Sequence, residues 1–410
     1  MEADVGFILN TMRDPAGIPA PPWLFQVLMV LTWVAHIAFV LVTLGAAALS
    51  IVAFYLRHHH PHWQQLSIAM TKGAKIGVSL LIVLGVAPLL FTQVIYDPQW
   101  YTASVLSARW LIIFIFTLII GYCSWFVFYY SNKPEAQTRL GLFALLGLGL
   151  FLLDGLIMHV LAYQSLQPDQ WMNWYAPNGQ VDTRGASLHA IQWSRFLFII
   201  SLSAPALALY LLAYADYYSR RSDRPKDYRD FVRQLGRRIG KVGCLISLPL
   251  LFWWLLDLPG HLSTSAHTPG WLLAGALIIL AIQIDRLGSL PGRGYLLLFS
   301  GLIPLGLMAL WREVIRVHAM KPFGYDIHDY TVHADLPSTI LFFLTLLGIG
   351  GIFGGFLVLL LYRAGQVEGK YQADRTIARL GTLSVVVLGL WITVFFVYGF
   401  SIWVRHAIGF

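Results

Sequence analysis

The chain has few charges: Asp, Glu, Lys and Arg make up 12% of its 410 residues, where a soluble domain carries about 25%. That scarcity excludes an ordinary water-soluble fold. Cysteine is nearly absent too. Cys123 and Cys244 both lie inside apolar runs, so no disulfide framework is implied. No CxxCH occurs, so this chain attaches no c-type haem covalently. The opening MEADVGFILNTMRDPAGIPAP lacks the basic start and apolar core of a cleavable signal, so insertion is expected to begin with the first membrane helix. No fixed-period repeat occurs, and no gap between apolar runs is long enough for a soluble domain.

What the chain has instead is length without charge: 58% of it is hydrophobic. The first long run, residues 22 to 56, exceeds the roughly 20 residues a helix needs to cross a bilayer. It contains no Asp, Glu, Lys or Arg, and one ionisable group, His36. A histidine facing lipid tails is costly, so His36 is expected to face other helices or a cofactor. In all, ten apolar segments are predicted, at about 22–56, 74–96, 105–131, 139–163, 191–218, 236–257, 269–285, 292–312, 338–363 and 378–404. The fold class is therefore all-α, a polytopic membrane protein of about ten transmembrane helices.

Orientation follows from the basic residues in the short loops. With the N-terminus outside, 20 of the 28 Lys and Arg residues fall on the inner side, nine of them between Arg220 and Lys241. That basic run is expected to face anionic lipid, and a nucleic-acid surface is not implied. The ninth segment carries GIGGIFGGF (348 to 356), small residues at a spacing that lets helices approach closely; packing within the chain is the favoured use, ahead of a subunit interface.

The polar residues of the membrane segments cluster toward the outer side. His36 lies part-way down the first segment. Asp154 and His159 lie near the outer end of the fourth, and His189 and Arg195 lead into the fifth. Arg312, Glu313, Arg316 and His318 leave the eighth, and His261, His267, His328 and His333 lie in outer loops. Imidazole ligates haem iron readily, a carboxylate is a weaker ligand, and arginine neutralises a propionate. His36 is the leading axial candidate, with His159 and His189 as further cofactor-binding candidates. The competing reading pairs these groups among themselves, Glu313 with Arg312 or with Arg316 three residues on. HHHPH at 58 to 62 reads as a solvated inner loop, and Asp154 as a buried pair or part of a proton path.

These residues resemble a known family. LFQVLMVLTWVAHIAFVLVTLGAAALSI is similar to the first helix of subunit I of the cytochrome bd quinol oxidases, with its haem-ligating histidine at His36. IQWSRFLFIISLSAPALALYLLAYADYYSRR resembles that family's fifth helix. MALWREVIRVHAMKPF and DLPSTILFFLTLLGIGGIFGGFLVLLLYRAG resemble the eighth and ninth, and the similarity is co-linear over about residues 22 to 366. The resemblance implies a bd-type bundle with a haem-binding glutamate at Glu313 and an arginine near the haem at Arg316. It divides the chain into an outer N-terminal segment (1–21), a bd-type membrane domain (22–366) and an additional transmembrane helix (367–410).

The departures are specific. Phe198 stands where the family's low-spin haem has its axial histidine, and GWLLAGALIIL supplies no methionine for the second ligand. Segment 105–131 contains no Asp or Glu where the family has a glutamate pair. The outer loop between segments six and seven is about a dozen residues, and the family's Gly-Arg-Gln-Pro-Trp signature survives only as Ile315-Arg316-Val317-His318. The expectation is a membrane subunit of a respiratory electron-transfer complex in the bacterial inner membrane. It binds one or two b-type haems near the outer face, with His36 and Glu313 as iron ligands. Electrons are exchanged with other membrane or outer-face redox subunits, such as a c-type cytochrome, or with a quinone, and the missing acidic pair leaves oxygen reduction open. The alternative is a haemless structural anchor subunit of a redox complex. A secondary transporter requires inverted repeats and matching broken helices, and neither is present in the sequence.

Overall fold

The computed structural model describes residues 2–260, 262 and 264–408, with side chains from residue 5 onward. All ten expected spans are helices: α1 (Pro22–Leu56), α2 (Pro61–Ile95), α3 (Ala108–Ser131), α4 (Thr138–Gln164), α5 (Trp193–Arg220), α6 (Lys226–Leu256), α7 (Thr264–Leu287), α8 (Gly294–Phe323), α9 (Leu336–Ala364) and α10 (Arg375–Ile408). No strand forms among the described residues; a single isolated bridge joins Ile18 and Val332. In a bilayer only elements that satisfy their own backbone can span, so the charge-poor composition and the helical outcome have one cause. The chain is an integral membrane protein.

Two ends differ from the sequence expectation in a way that matters. α2 begins at Pro61, not near 74, because a proline is tolerated at the first helical position and the His60 side chain accepts from the His62 N–H. α8 runs on to Phe323, not to 312. Arg312, Glu313 and Arg316 therefore sit within a helix instead of at its exit.

The chain divides into two compact units. The first comprises residues 1–15, 22–216 and 226–330; the second comprises 16–21, 217–225 and 331–410. In the first unit, helices approach closely where glycine permits it. A Cβ on Gly45 of α1 would lie 2.6 Å from the Ser203 carbonyl oxygen of α5, and one on Gly243 of α6 would lie 2.7 Å from Ala204 Cβ. A core of Ile37, Leu41, Phe198, Trp254, Met308 and Trp311 fills the space between α1, α5, α6 and α8. Buried polar groups are paired across helices. Asp216 accepts from Arg233 at 2.5 Å and from the Gly294 N–H at 2.6 Å, tying α5, α6 and α8 together. Asn132 donates to Ser67 and Thr71 of α2 at 2.9 and 2.8 Å.

The second unit holds α9 and α10. Residues 344–353 of α9 widen into a π-helix through the glycine run, the backbone form that glycine's freedom and a missing side-chain lattice allow. Gly348 packs on Val387 and Gly381 on Phe356, while Gly350, Gly351, Gly354 and Gly355 meet no side chain within 4 Å. The run thus packs within the chain through Gly348 and Phe356, while four of its glycines leave an open face. Trp391 Nε1 donates to Thr345 Oγ1 at 2.7 Å, and Arg363 pairs with Asp374. Residues 16–21 join this unit through backbone bonds: Ile18 N–H to Thr331 at 2.9 Å, and His333 N–H to Ile18 at 2.9 Å.

Candidate functional site

His36 is positioned by α2. Its Nδ1 lies 2.9 Å from the Leu81 carbonyl oxygen. A carbonyl can only accept, so Nδ1 carries the proton and Nε2 keeps its lone pair. Gly85, one turn further along α2, makes room for the ring: a Cβ there would be 2.8 Å from His36 Cε1. Nε2 has no hydrogen-bond partner among the described residues. A neutral imidazole oriented through Nδ1 with Nε2 free is the form that ligates a metal.

His36 lines a cavity of about 170 Å³ together with Met29, Trp33, Arg312, Glu313 and Arg316. The first and eighth helices thus bring three of the expected residues to one place. Glu313 is 7% exposed and heavily engaged. Its Oε1 accepts from Tyr96 at 2.6 Å and from Gln26 at 2.8 Å; its Oε2 accepts from Arg316 at 3.1 Å. Charge-assisted bonds of this kind hold a buried carboxylate in a fixed orientation. Arg316 also points at the Met29 sulfur, 3.1 Å away, and lies over the Tyr96 ring at 4.7 Å. Arg312 instead covers Trp33, 3.9 Å from the ring centre. Of the two arginines that could have paired with Glu313, Arg316 does.

A second cavity of about 450 Å³ shares Ala162, Arg312 and Arg316 with the first. Arg195 and Trp254 also line it. His159 and His189 line neither cavity. His159 is buried, with Nε2 3.1 Å from the Gln192 carbonyl and its ring against Phe196. His189 lies outside the spans and stacks on Trp174 at 5.1 Å; burial lowers its pKa. His318 bonds the Val314 carbonyl, and His328 pairs with Asp326. His261 lies outside the described residues. No group of three or more His, Cys, Asp or Glu side chains able to hold a metal ion occurs among the described residues, so HHHPH gathers no ligand set there. Asp154 is buried and accepts from Thr117 at 2.5 Å, leaving Oδ2 without a partner.

Beside the site lies a polar knot outside the spans. Tyr330 donates to Asp97 Oδ1, the Asp14 N–H donates to Oδ2 at 2.8 Å, and Tyr325 bonds Tyr330 at 2.9 Å under the Arg13 guanidinium. Burial raises the Asp97 carboxyl above its usual range and pushes the Tyr325 phenol up to about 12.

The sequence reading missed Gln26, Met29, Tyr96 and Asp97. Gln26 had a signal, a polar amide at the fifth position of the first long apolar run; Tyr96 had none, since a tyrosine at a helix end is ordinary.

The comparisons with known proteins add the fold and no more. A chain of the bd oxidase from Geobacillus thermodenitrificans superposes with a TM-score of 0.57 at 15% identity, covering 85% of this chain and 100% of that one. This chain thus has a distant bd-oxidase-like helical fold. No family model matches it, and no curated protein matches it in sequence.

The residues at the site test the fit of a haem directly. His36 fits, with a free, oriented Nε2. Glu313 offers no uncommitted oxygen, since both of its oxygens already accept. The 170 Å³ beside His36 is also smaller than the 300–1,000 Å³ common for small-molecule sites. Among the expected residues, His36 thus presents a free donor atom, Glu313 and Arg316 are committed to each other, and the space beside them is small for a haem.

Proposed function

We propose that this chain is a membrane subunit of a respiratory electron-transfer complex in the bacterial inner membrane, binding b-type haem near the outer face. The observation that carries the reading is the His36 imidazole, fixed through Nδ1 on the Leu81 carbonyl with Nε2 unprotonated at a cavity wall. The group would supply one-electron transfer. His36 would hold the iron from one side, and the Leu81 carbonyl would keep its basicity and direction. Arg316 would balance a propionate as well as Glu313. Glu313 would act as the counter-charge to Arg316, held in place by Tyr96 and Gln26, rather than as an iron ligand. His159 and His189 are secondary ligand candidates whose use would require each to leave its present partner. Electrons would pass to or from a partner such as a c-type cytochrome, or a quinone.

The test is a reduced-minus-oxidised spectrum with pyridine haemochrome quantitation on the purified full-length chain, beside His36→Ala. A protohaem signal lost in the variant is expected. A well-folded chain without protohaem would sink the reading. A specific observation favours a second one, a haemless anchor subunit: the space next to His36 is small, and Phe198 is fully buried against Trp254 where a ligand would be needed for a second haem. Absence of haem would leave that reading standing.

A further inference from the structure

The 450 Å³ cavity carries an electrostatic imbalance that the reading above does not use. Arg195, Arg312 and Arg316 all line it. Arg316 has Glu313 as its counter-charge. Arg195 and Arg312 have none: among the described residues neither guanidinium forms an ion pair or donates a hydrogen bond. Each lies over an aromatic ring, Arg195 over Trp254 at 6.0 Å and Arg312 over Trp33 at 3.9 Å. Arg195 is 7% exposed. A ring face offsets only part of the cost of burying an unpaired charge. The one carboxylate on the wall, Asp169, is exposed and accepts from Gln170 Nε2 at 2.7 Å.

The remaining wall divides by chemistry. Gln167 and Gln192 add amide donors, while Leu258, Leu262 and Phe323 form an apolar side. Guanidinium forks match the oxygens of a phosphate, and the apolar side matches an acyl chain. We propose that this cavity binds a phosphate oxyanion held by Arg195 and Arg312, with an anionic lipid headgroup as the source its apolar wall favours. Free phosphate shares the headgroup chemistry but leaves Leu258, Leu262 and Phe323 with nothing to cover. The inference stands apart from the haem reading, because it uses neither His36 nor Glu313.

The experiment is a titration of the detergent-purified full-length chain, its haem content recorded, with phosphatidylglycerol, diacylglycerol or inorganic phosphate, read by calorimetry. Saturable binding of phosphatidylglycerol is expected, weakened about tenfold by Arg195→Gln or Arg312→Gln, as expected for loss of one charge-assisted contact. Should the glutamine variants fail to fold, Arg195→Lys and Arg312→Lys keep the charge, lose the fork, and bind measurably more weakly. His36→Ala binds as the parent does, so loss of haem and loss of phosphate binding separate. Inorganic phosphate as strong as the lipid supports the arginine site with a free ion as its source. Diacylglycerol binding as tightly as phosphatidylglycerol, or arginine variants titrating like the parent, overturns the proposal.

Discussion

The two units of this chain handle the bilayer in opposite ways. In the first, α1, α5 and α8 carry a histidine, three arginines and a glutamate into apolar surroundings: His36 and Glu313 are bonded across helices, Arg316 pairs with Glu313, and Arg195 and Arg312 lie over tryptophan rings. In the second, α9 and α10 keep ionisable groups at their ends, and only Gly348 of α9 and Ile377, Ser384 and Val387 of α10 are buried. A buried charge demands a partner with specific geometry, so the first unit is specified by pairing. Charge-free helices have no hydrophobic drive toward each other in lipid, so the second depends on shape and a few polar staples such as Trp391 to Thr345.

The largest expected effect tests the pairing side. Glu313→Ala leaves Arg316, Tyr96 and Gln26 without their shared acceptor, and breaking a buried pair costs about 3–5 kcal/mol. Arg363→Ala, which removes the half-exposed Asp374 pair of the second unit, is expected to cost no more than about 1 kcal/mol. Equal losses in denaturant unfolding of the two variants would dissolve the contrast.

A smaller effect comes from one substitution made in both units. Gly45→Ala puts a methyl 2.6 Å from the Ser203 carbonyl, forcing α1 and α5 apart at about 1–3 kcal/mol. Gly350→Ala meets no side chain within 4 Å and is expected to be neutral or stabilising by up to about 1 kcal/mol, the usual helical preference for alanine. Thermal unfolding of both variants checks the pair. A destabilised Gly350→Ala would mean that the open glycine face is covered.

The smallest effect is a difference in sign. Asp97 in the first unit has its carboxyl raised, chiefly by burial against the opposing bonds from Tyr330 and Asp14. Its contribution is therefore full below the ordinary carboxylate value and is lost as pH rises through the raised one. Asp335 in the second unit is lowered by the Ser338 hydroxyl and N–H that it caps. Its contribution is full above the ordinary value and fades as pH falls through the lowered one. Stability measured between about pH 3 and 6 should converge with that of Asp97→Asn at the acid end, and with that of Asp335→Asn at the acid end only after the capping bond is lost. If Asp97→Asn and the parent keep a constant gap across that range, burial does not control this carboxyl.

Much of this was open to a reader of the residues alone, and particular positions show why. The ten spans follow from runs of uncharged residues, because a bilayer leaves the backbone no other solution. That His36 needs a partner followed from its isolation on its own helix. The Glu313–Arg316 pair was within reach because three residues along a helix is a local distance. The end of α8 was misjudged because charged residues usually mark where a helix leaves the membrane, and here they line a cavity instead.

What only the tertiary structure decided is who meets whom across distance. Gln26 and Tyr96 reach Glu313 from 287 and 217 residues away, and no periodicity records such a meeting. The tautomer of His36 was set by a carbonyl on α2 that any residue could have supplied, since it is a backbone group. The unpaired state of Arg195 and Arg312 is likewise a property of the packed helices: a charge count cannot show which arginine found its acceptor. Composition determined that the chain spans a membrane, because transfer free energy adds up along a segment. Packing determined the chemistry around His36 and the arginines, because hydrogen bonds depend on distances that only the folded helices fix.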